Sequence, residues 1–168
     1  MTELANMFAA RFSREEMIDK VNESHSSFLE CLKIALSDQE PQGWRAAWIL
    51  GHCTKKNDLR LPVHTDSLIE AIQSKKDGHQ RELLKLIFKI HLNDEQEGKV
   101  FDQCVTIWET IGKSPSVRYF AFNFIFEIVK KYPDLKGEID FLTQQEYLDA
   151  LSPGVRRGIE KKIMKLNS

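Results

Sequence analysis

The sequence predicts an all-α protein, a right-handed superhelix (solenoid) of about four helix pairs with one extra helix before them. An arginine recurs at separations of 36, 37 and 38 residues, at Arg45, Arg81, Arg118 and Arg156. Similar phrases precede these arginines, the last two being Ser-Pro-Ser-Val-Arg and Ser-Pro-Gly-Val-Arg. Apolar residues also recur at helical spacing. Such a period is typical of solenoids, because one helix pair buries its apolar face only against a neighbour.

Length and composition fit one globular domain. The chain has 168 residues, 42% hydrophobic and 29% charged, which excludes the disordered and collagen-like classes. We therefore expect a single domain over residues 1–168. Its helix pairs are predicted at about 24–56, 64–92, 97–131 and 134–167.

The first part of the chain predicts separate helices with recognisable starts. Residues 13–16, Ser-Arg-Glu-Glu, form a capping-box pattern that begins a helix. A polar stretch then predicts a helix break near Glu23. The next helix covers about 42–55, with Trp48 among its inward residues, and 57–62 is a connector.

Polar residues also predict the ends of the middle helices. Thr65 and Asp77 are expected to cap two helices of the second pair. Residues 94–97 form another capping-box pattern, with Asp94 in the cap position, and begin a longer helix. Gly112 is expected to end that helix in the left-handed conformation.

Residues 116–131 carry conflicting signals. Four phenylalanines alternate as in a strand, at Phe120, Phe122, Phe124 and Phe126. Ser114 and Pro115, however, suit the cap and first position of a helix, and Pro133 comes where it should have ended. We predict a buried central helix. The helical pattern then continues to about Asp149, and a last helix begins at Pro153.

The phrase Trp-Arg-Ala-Ala-Trp at 44–48, with the Ser-Pro-x-Val-Arg helix starts, resembles the HEAT-like repeat proteins. It resembles more closely the small bacterial HEAT-like proteins related to alkylpurine DNA glycosylases. The resemblance covers about 24–167 and implies the superhelical fold. It would also imply a catalytic aspartate facing an aromatic-lined groove. No position of this sequence matches such a site, so that activity is not carried over.

The resemblance bears on the arginines as well. HEAT repeats place an aspartate at the end of the first helix and an arginine early in the second. Here an aspartate lies seven residues before the arginine only at Asp38 and Asp149. The resemblance therefore leaves Arg81 and Arg118 available for other work.

Six residues are candidates for a binding surface. In a stack of helices the recurring arginines should form a row about 10 Å apart. Such a row would either bind anions or pair with carboxylates and last-turn carbonyls of neighbouring helices. The structural pairing is the usual role of an arginine at this position of the repeat. Trp44 is the best single anchor. The candidates are Trp44, Arg45, Arg81, Arg118, Arg156 and Arg157.

No catalytic or metal-binding pattern is present in the sequence. Five histidines are scattered and three cysteines lie in apolar stretches without metal-finger spacing. We expect no catalytic residue, metal or cofactor, and reduced cysteines in a cytoplasmic protein without a membrane span.

The predicted function is a non-catalytic scaffold for a protein or peptide partner. Nucleic-acid binding is the alternative, with the basic C-terminal helix as a contact, although a net charge of −1 disfavours it.

Overall fold

The computed structural model describes residues 2–167, and these form α-helices and two short 3-10 helices, with no β-strand among them. The all-α class is confirmed. Two compact units divide between His91 and Leu92. The first unit contains α1 (Glu3–Ala9), α2 (Arg14–Asn22), α3 (His25–Leu36), α4 (Gln42–Cys53), a 3-10 helix (Pro62–His64), α5 (Thr65–Ile72) and α6 (Asp77–Ile87). The second contains α7 (Asp94–Glu109), α8 (Pro115–Lys131), a 3-10 helix (Pro133–Leu135), α9 (Lys136–Leu142), α10 (Gln145–Asp149) and α11 (Pro153–Asn167).

Helix α4 is the centre of the first unit and packs against α1, α2, α3 and α6. Small side chains allow this close packing, because its buried face includes Gly43, Ala46 and Ala47. A Cβ atom added at Gly43 would lie 2.8 Å from Cε1 of His79 in α6. The prediction that Trp48 points inward is wrong, since it lies half-buried at the edge of this face.

The helix starts of the first unit follow the predictions in part. Ser13 accepts a hydrogen bond from the first turn of α2, and Ser24 caps α3, which confirms the break near Glu23. Thr65 is not a cap, because the 3-10 helix precedes it and its hydroxyl donates to the Pro62 carbonyl. Asp77 is the first residue of α6 rather than its cap. Helix α1 had no predicted counterpart.

Helix α8 is the centre of the second unit, where it packs against α7, α9 and α11. Its bounds confirm the prediction that 116–131 is helical. The reason is geometric: Pro115 occupies the first position, and Val117, Ala121 and Ile125 share its buried face. The strand-like alternation of phenylalanines therefore has no structural counterpart.

The predicted ends of the other helices in the second unit were wrong in three places. The capping box of α7 is formed by Asn93 and Gln96, one residue earlier than predicted, because the amide oxygen of Asn93 can cap as well as a carboxylate. Helix α7 ends at Glu109, and no described glycine, Gly112 included, has a positive φ. After Pro133 the predicted continuous helix is divided into α9 and α10.

Two lysines in the segments that follow α5 and α6 hold the carboxyl ends of earlier helices in the first unit. Lys75 is buried, and its Nζ donates to the carbonyls of Leu36 and Ser37 at 3.0 and 2.9 Å, at the end of α3. Lys89 donates to the Thr54 carbonyl at 2.8 Å, at the end of α4. The last carbonyls of a helix lack partners within it and carry partial negative charge, so a cation stabilises them.

Candidate functional site

A cavity of about 560 Å³ lies in the first unit and brings together three of the six predicted residues. It is lined by residues 10–12, which follow α1, together with Trp44, Arg45, Trp48 and Arg81. Its volume is in the range of sites that bind small molecules or a few side chains. Aromatic and cationic side chains share its wall.

Helix α4 presents two tryptophans to the cavity because Trp44 and Trp48 are one turn apart. Trp44 packs beside the start of α6, where a Cβ at Gly78 would lie 3.4 Å from its indole nitrogen. Trp48 contacts His52 edge to face, with ring centroids 4.8 Å apart. Both tryptophans are half-buried. Neither indole N–H donates a hydrogen bond to another residue within 2–167.

Arg45 holds the segment that forms one side of the cavity. Its Nη1 donates to the carbonyl oxygens of Phe8 and Ala10, at 2.7 and 3.1 Å, at the end of α1. The guanidinium carbon lies 6.0 Å from the ring centroid of Phe12. Arg45 therefore does the structural work foreseen for this repeat position, and its side chain also lines the cavity.

Arg81 lies on the cavity wall beside a buried carboxylate. Its Nε donates to Glu82 at 3.0 Å, and its Nη2 is 2.9 Å from the same oxygen. The Glu82 side chain is only 2% exposed and also accepts from Lys85 at 3.1 Å. Two cations thus share one carboxylate, and this ion pair contradicts the expectation that Arg81 is left available.

Arg11 adds a third guanidinium that the sequence reasoning did not single out. It is exposed, and it has no hydrogen bond or ion pair with any other residue of the described chain. Together with Arg45 and Arg81 it lines the cavity, and no carboxylate among the described residues does so. The cavity therefore carries more positive than negative charge.

Arg118 does not belong to this surface. It is fully buried in the second unit, where its Nε donates to the Trp108 carbonyl at 2.8 Å and its Nη2 to the Tyr147 carbonyl at 2.9 Å. Its guanidinium also lies 4.6 Å from the Trp108 ring. Burial lowers its pKa. A side chain without exposure does not meet an external partner, so the expectation that Arg118 is left for other work is corrected.

Arg156 and Arg157 lie in α11 of the second unit. Arg156 donates to Asp149 at 2.7 Å and to Glu160 at 2.8 Å, so the Asp–Arg pairing implied by the resemblance is present here. The other expected aspartate, Asp38, pairs with Lys75 instead of Arg45. Arg157 is exposed.

The cysteines do not form a reactive centre. Burial raises the pKa of Cys53 to about 11 and raises the pKa values of Cys31 and Cys104 as well. Thiols with such values are protonated at neutral pH, and the thiolate is the nucleophile. Within the described part of the chain, no three His, Cys, Asp or Glu side chains are grouped to hold a metal ion. No helix there is long and apolar enough to span a bilayer.

The sequence reasoning missed Arg11, Phe12 and the exposed edge of Trp48. The signal for Trp48 was present, because its four-residue spacing from Trp44 places both on one side of α4. Residues 11 and 12 carry no helical pattern of their own. They are held at the cavity by tertiary contacts, among them the hydrogen bond from Arg45 to the end of α1 and the packing of Phe12 on Phe8.

Comparison with known proteins identified one family. A family model described as the HEAT repeat domain matches residues 3–166. No curated protein and no solved structure gave a significant match.

Proposed function

Because the chain belongs to the HEAT repeat domain family, we propose that it is a non-catalytic scaffold that binds a protein or peptide partner through the first-unit cavity. HEAT repeat domains commonly serve as protein-binding scaffolds. Trp44 is the anchor of the proposed contact, and Arg45 and Arg81 supply charge. We further expect the protein to act in the cytoplasm, although the proposal does not depend on that location.

The observation that carries the proposal is the pair of half-buried tryptophans on one cavity wall. Tryptophan and arginine are the residues most enriched at energetically important positions of protein interfaces. An indole that is partly covered by its own protein loses little side-chain freedom on binding, because its position is already restricted. The indole N–H groups of Trp44 and Trp48 are donors that a bound backbone carbonyl can satisfy.

Selection from a random peptide library tests this proposal. Peptides selected on the full chain should bind the Trp44→Ala variant about 2 kcal/mol more weakly than the parent, roughly 30-fold, as expected for an interface anchor. Leu59→Ala is the matched control, because Leu59 is also a large apolar residue of the first unit but is 92% exposed and outside the cavity. Equal binding by both variants, or no selected peptide at all, would contradict the proposal.

The alternative function is nucleic-acid binding, in a protein related to the HEAT-like DNA glycosylases. The cationic cavity favours it, because bases stack on tryptophan and phosphates bind arginine. In that case Arg156, Arg157 and the lysines of α11 would contact phosphates. Affinity for duplex DNA should then fall with salt by a log–log slope of roughly −0.9 for each phosphate contacted. The absence of binding at low salt would exclude this function.

A further inference from the structure

The charge balance of the cavity identifies a class of partner. Three guanidiniums line it, from Arg11, Arg45 and Arg81. No carboxylate among the described residues lines it, and the carboxylate of Glu82, which pairs with Arg81, is buried and already shared with Lys85. Neither Arg11 nor Arg45 has an ion pair with another residue in the described chain. An anionic ligand would therefore supply the negative charge that the site lacks.

The arginines are not all fully available, which limits the kind of anion. The Nη1 of Arg45 is engaged by carbonyls at the end of α1, and the Nε and Nη2 of Arg81 are engaged by Glu82. Arginine forks bind carboxylates and phosphates alike, but a phosphate dianion brings twice the charge to be balanced. A carboxylate carries one charge and needs fewer donors. A single carboxylate at Arg11 therefore suits the cavity better than a phosphate dianion, which would need donors that Arg45 and Arg81 already use.

The aromatic part of the wall adds a second requirement. Phe12, Trp44 and Trp48 occupy the cavity together with the cations, so the ligand must also offer apolar surface. Nucleic acid is disfavoured by the overall charge of −1, since a chain built to neutralise many phosphates carries a cationic excess. A peptide that alternates acidic and apolar side chains satisfies both parts of the wall.

We propose that the cavity binds an acidic peptide segment of a partner protein, with a carboxylate at Arg11 and an apolar side chain between Trp44 and Trp48. This inference rests on the proposed scaffold function and specifies its ligand. Arg11 contributes specificity because it is exposed at the cavity and has no structural partner in the described chain. Arg45 instead has a structural role that its replacement would disturb.

The experiment uses the full chain and the same random peptide library. Asp and Glu should be enriched among the peptides that need Trp44. The tightest selected peptide is then compared with a version in which each Glu or Asp is replaced by Gln or Asn. This neutral peptide should bind roughly tenfold more weakly, as for the loss of one charge-assisted contact. Arg11→Ala should weaken the acidic peptide equally, and combining both changes should add little, because both remove the same contact.

Arg14→Ala is the matched control. Arg14 is an exposed arginine three residues away that is paired with Glu15 and does not line the cavity, so the acidic peptide should bind this variant normally. Trp44-dependent peptides without acidic enrichment would overturn this inference and leave the scaffold function standing. No Trp44-dependent peptide at all would overturn both. Displacement of the acidic peptide by a single-stranded oligodeoxynucleotide, with steep salt dependence, would overturn the inference in favour of nucleic acid.

Discussion

Replacing Arg118 should lower the stability of the second unit, although the recurrence of arginine in the sequence predicts that this residue belongs to a binding surface. Its guanidinium links α8 to carbonyl oxygens of α7 and α10, at Trp108 and Tyr147. A buried carbonyl left without a partner costs about 1–3 kcal/mol. Part of this loss is offset, because the variant no longer buries a cation whose Nη1 has no hydrogen-bond partner in the described chain.

We therefore expect Arg118→Met, which keeps most of the volume, to lower the free energy of unfolding by about 2 kcal/mol. Arg118→Ala should cost about 1–2 kcal/mol more, because it also removes packing against the Trp108 ring and leaves a void. Urea unfolding followed by circular dichroism at pH 7 measures both. Arg157→Ala is the control and should stay within about 0.5 kcal/mol of the parent, since Arg157 is exposed. The reasoning is refuted if Arg118→Ala is equally neutral.

Three further predictions concern stability and reactivity in the first unit. Gly43→Ala should lower the free energy of unfolding by about 1–3 kcal/mol, because the new Cβ would lie 2.8 Å from the His79 ring. Gly51→Ala in the same helix is the control: its Cβ meets no atom within 4 Å, so it should raise the free energy of unfolding by up to about 1 kcal/mol. Thermal or urea unfolding measures both. Cys53, with a pKa of about 11, should react slowly with a thiol reagent at pH 8 in the native protein and rapidly in denaturant. Fast reaction of the native protein would contradict the raised pKa. Hydrogen bonds from Arg60 lower the pKa of Asp58 from 3.8 to about 2, so this carboxylate contributes about 2 kcal/mol of stability above pH 4 that is lost as the pH falls to 2. Asp58→Asn should flatten that part of the stability–pH curve, and an unchanged curve would count against the ion pair.

The helices could be predicted from the sequence wherever local signals agreed. Pro115 and the apolar residues after it specify α8 despite the alternating phenylalanines. Local signals failed where two neighbouring residues could serve as cap, as with Asn93 and Asp94, since either side chain can accept the first-turn amides. Helix α1 was missed because seven residues provide too little pattern to identify a helix.

The candidate site could be predicted only in part, because its composition depends on tertiary contacts. Trp44 was identified from its position near a helix start, and it does line the cavity. The recurrence of arginine was a sound signal for repeat structure, yet similar spacing led to different environments. Arg45 contacts carbonyls, Arg81 a carboxylate, and Arg118 is buried. The spacing along the sequence predicts where each arginine lies on its helix. The residues that surround it in the folded unit determine what its side chain contacts.

The hydrogen bonds from Arg45 to the end of α1 bear on how the cavity forms during folding. A helix of seven residues is marginal by itself in water, so α1 is ordered by docking against the rest of its unit. Residues 10–12 reach their place by the same event. One wall of the cavity therefore forms only when α1 docks, and under the proposed function a peptide would bind only molecules in which this docking is complete.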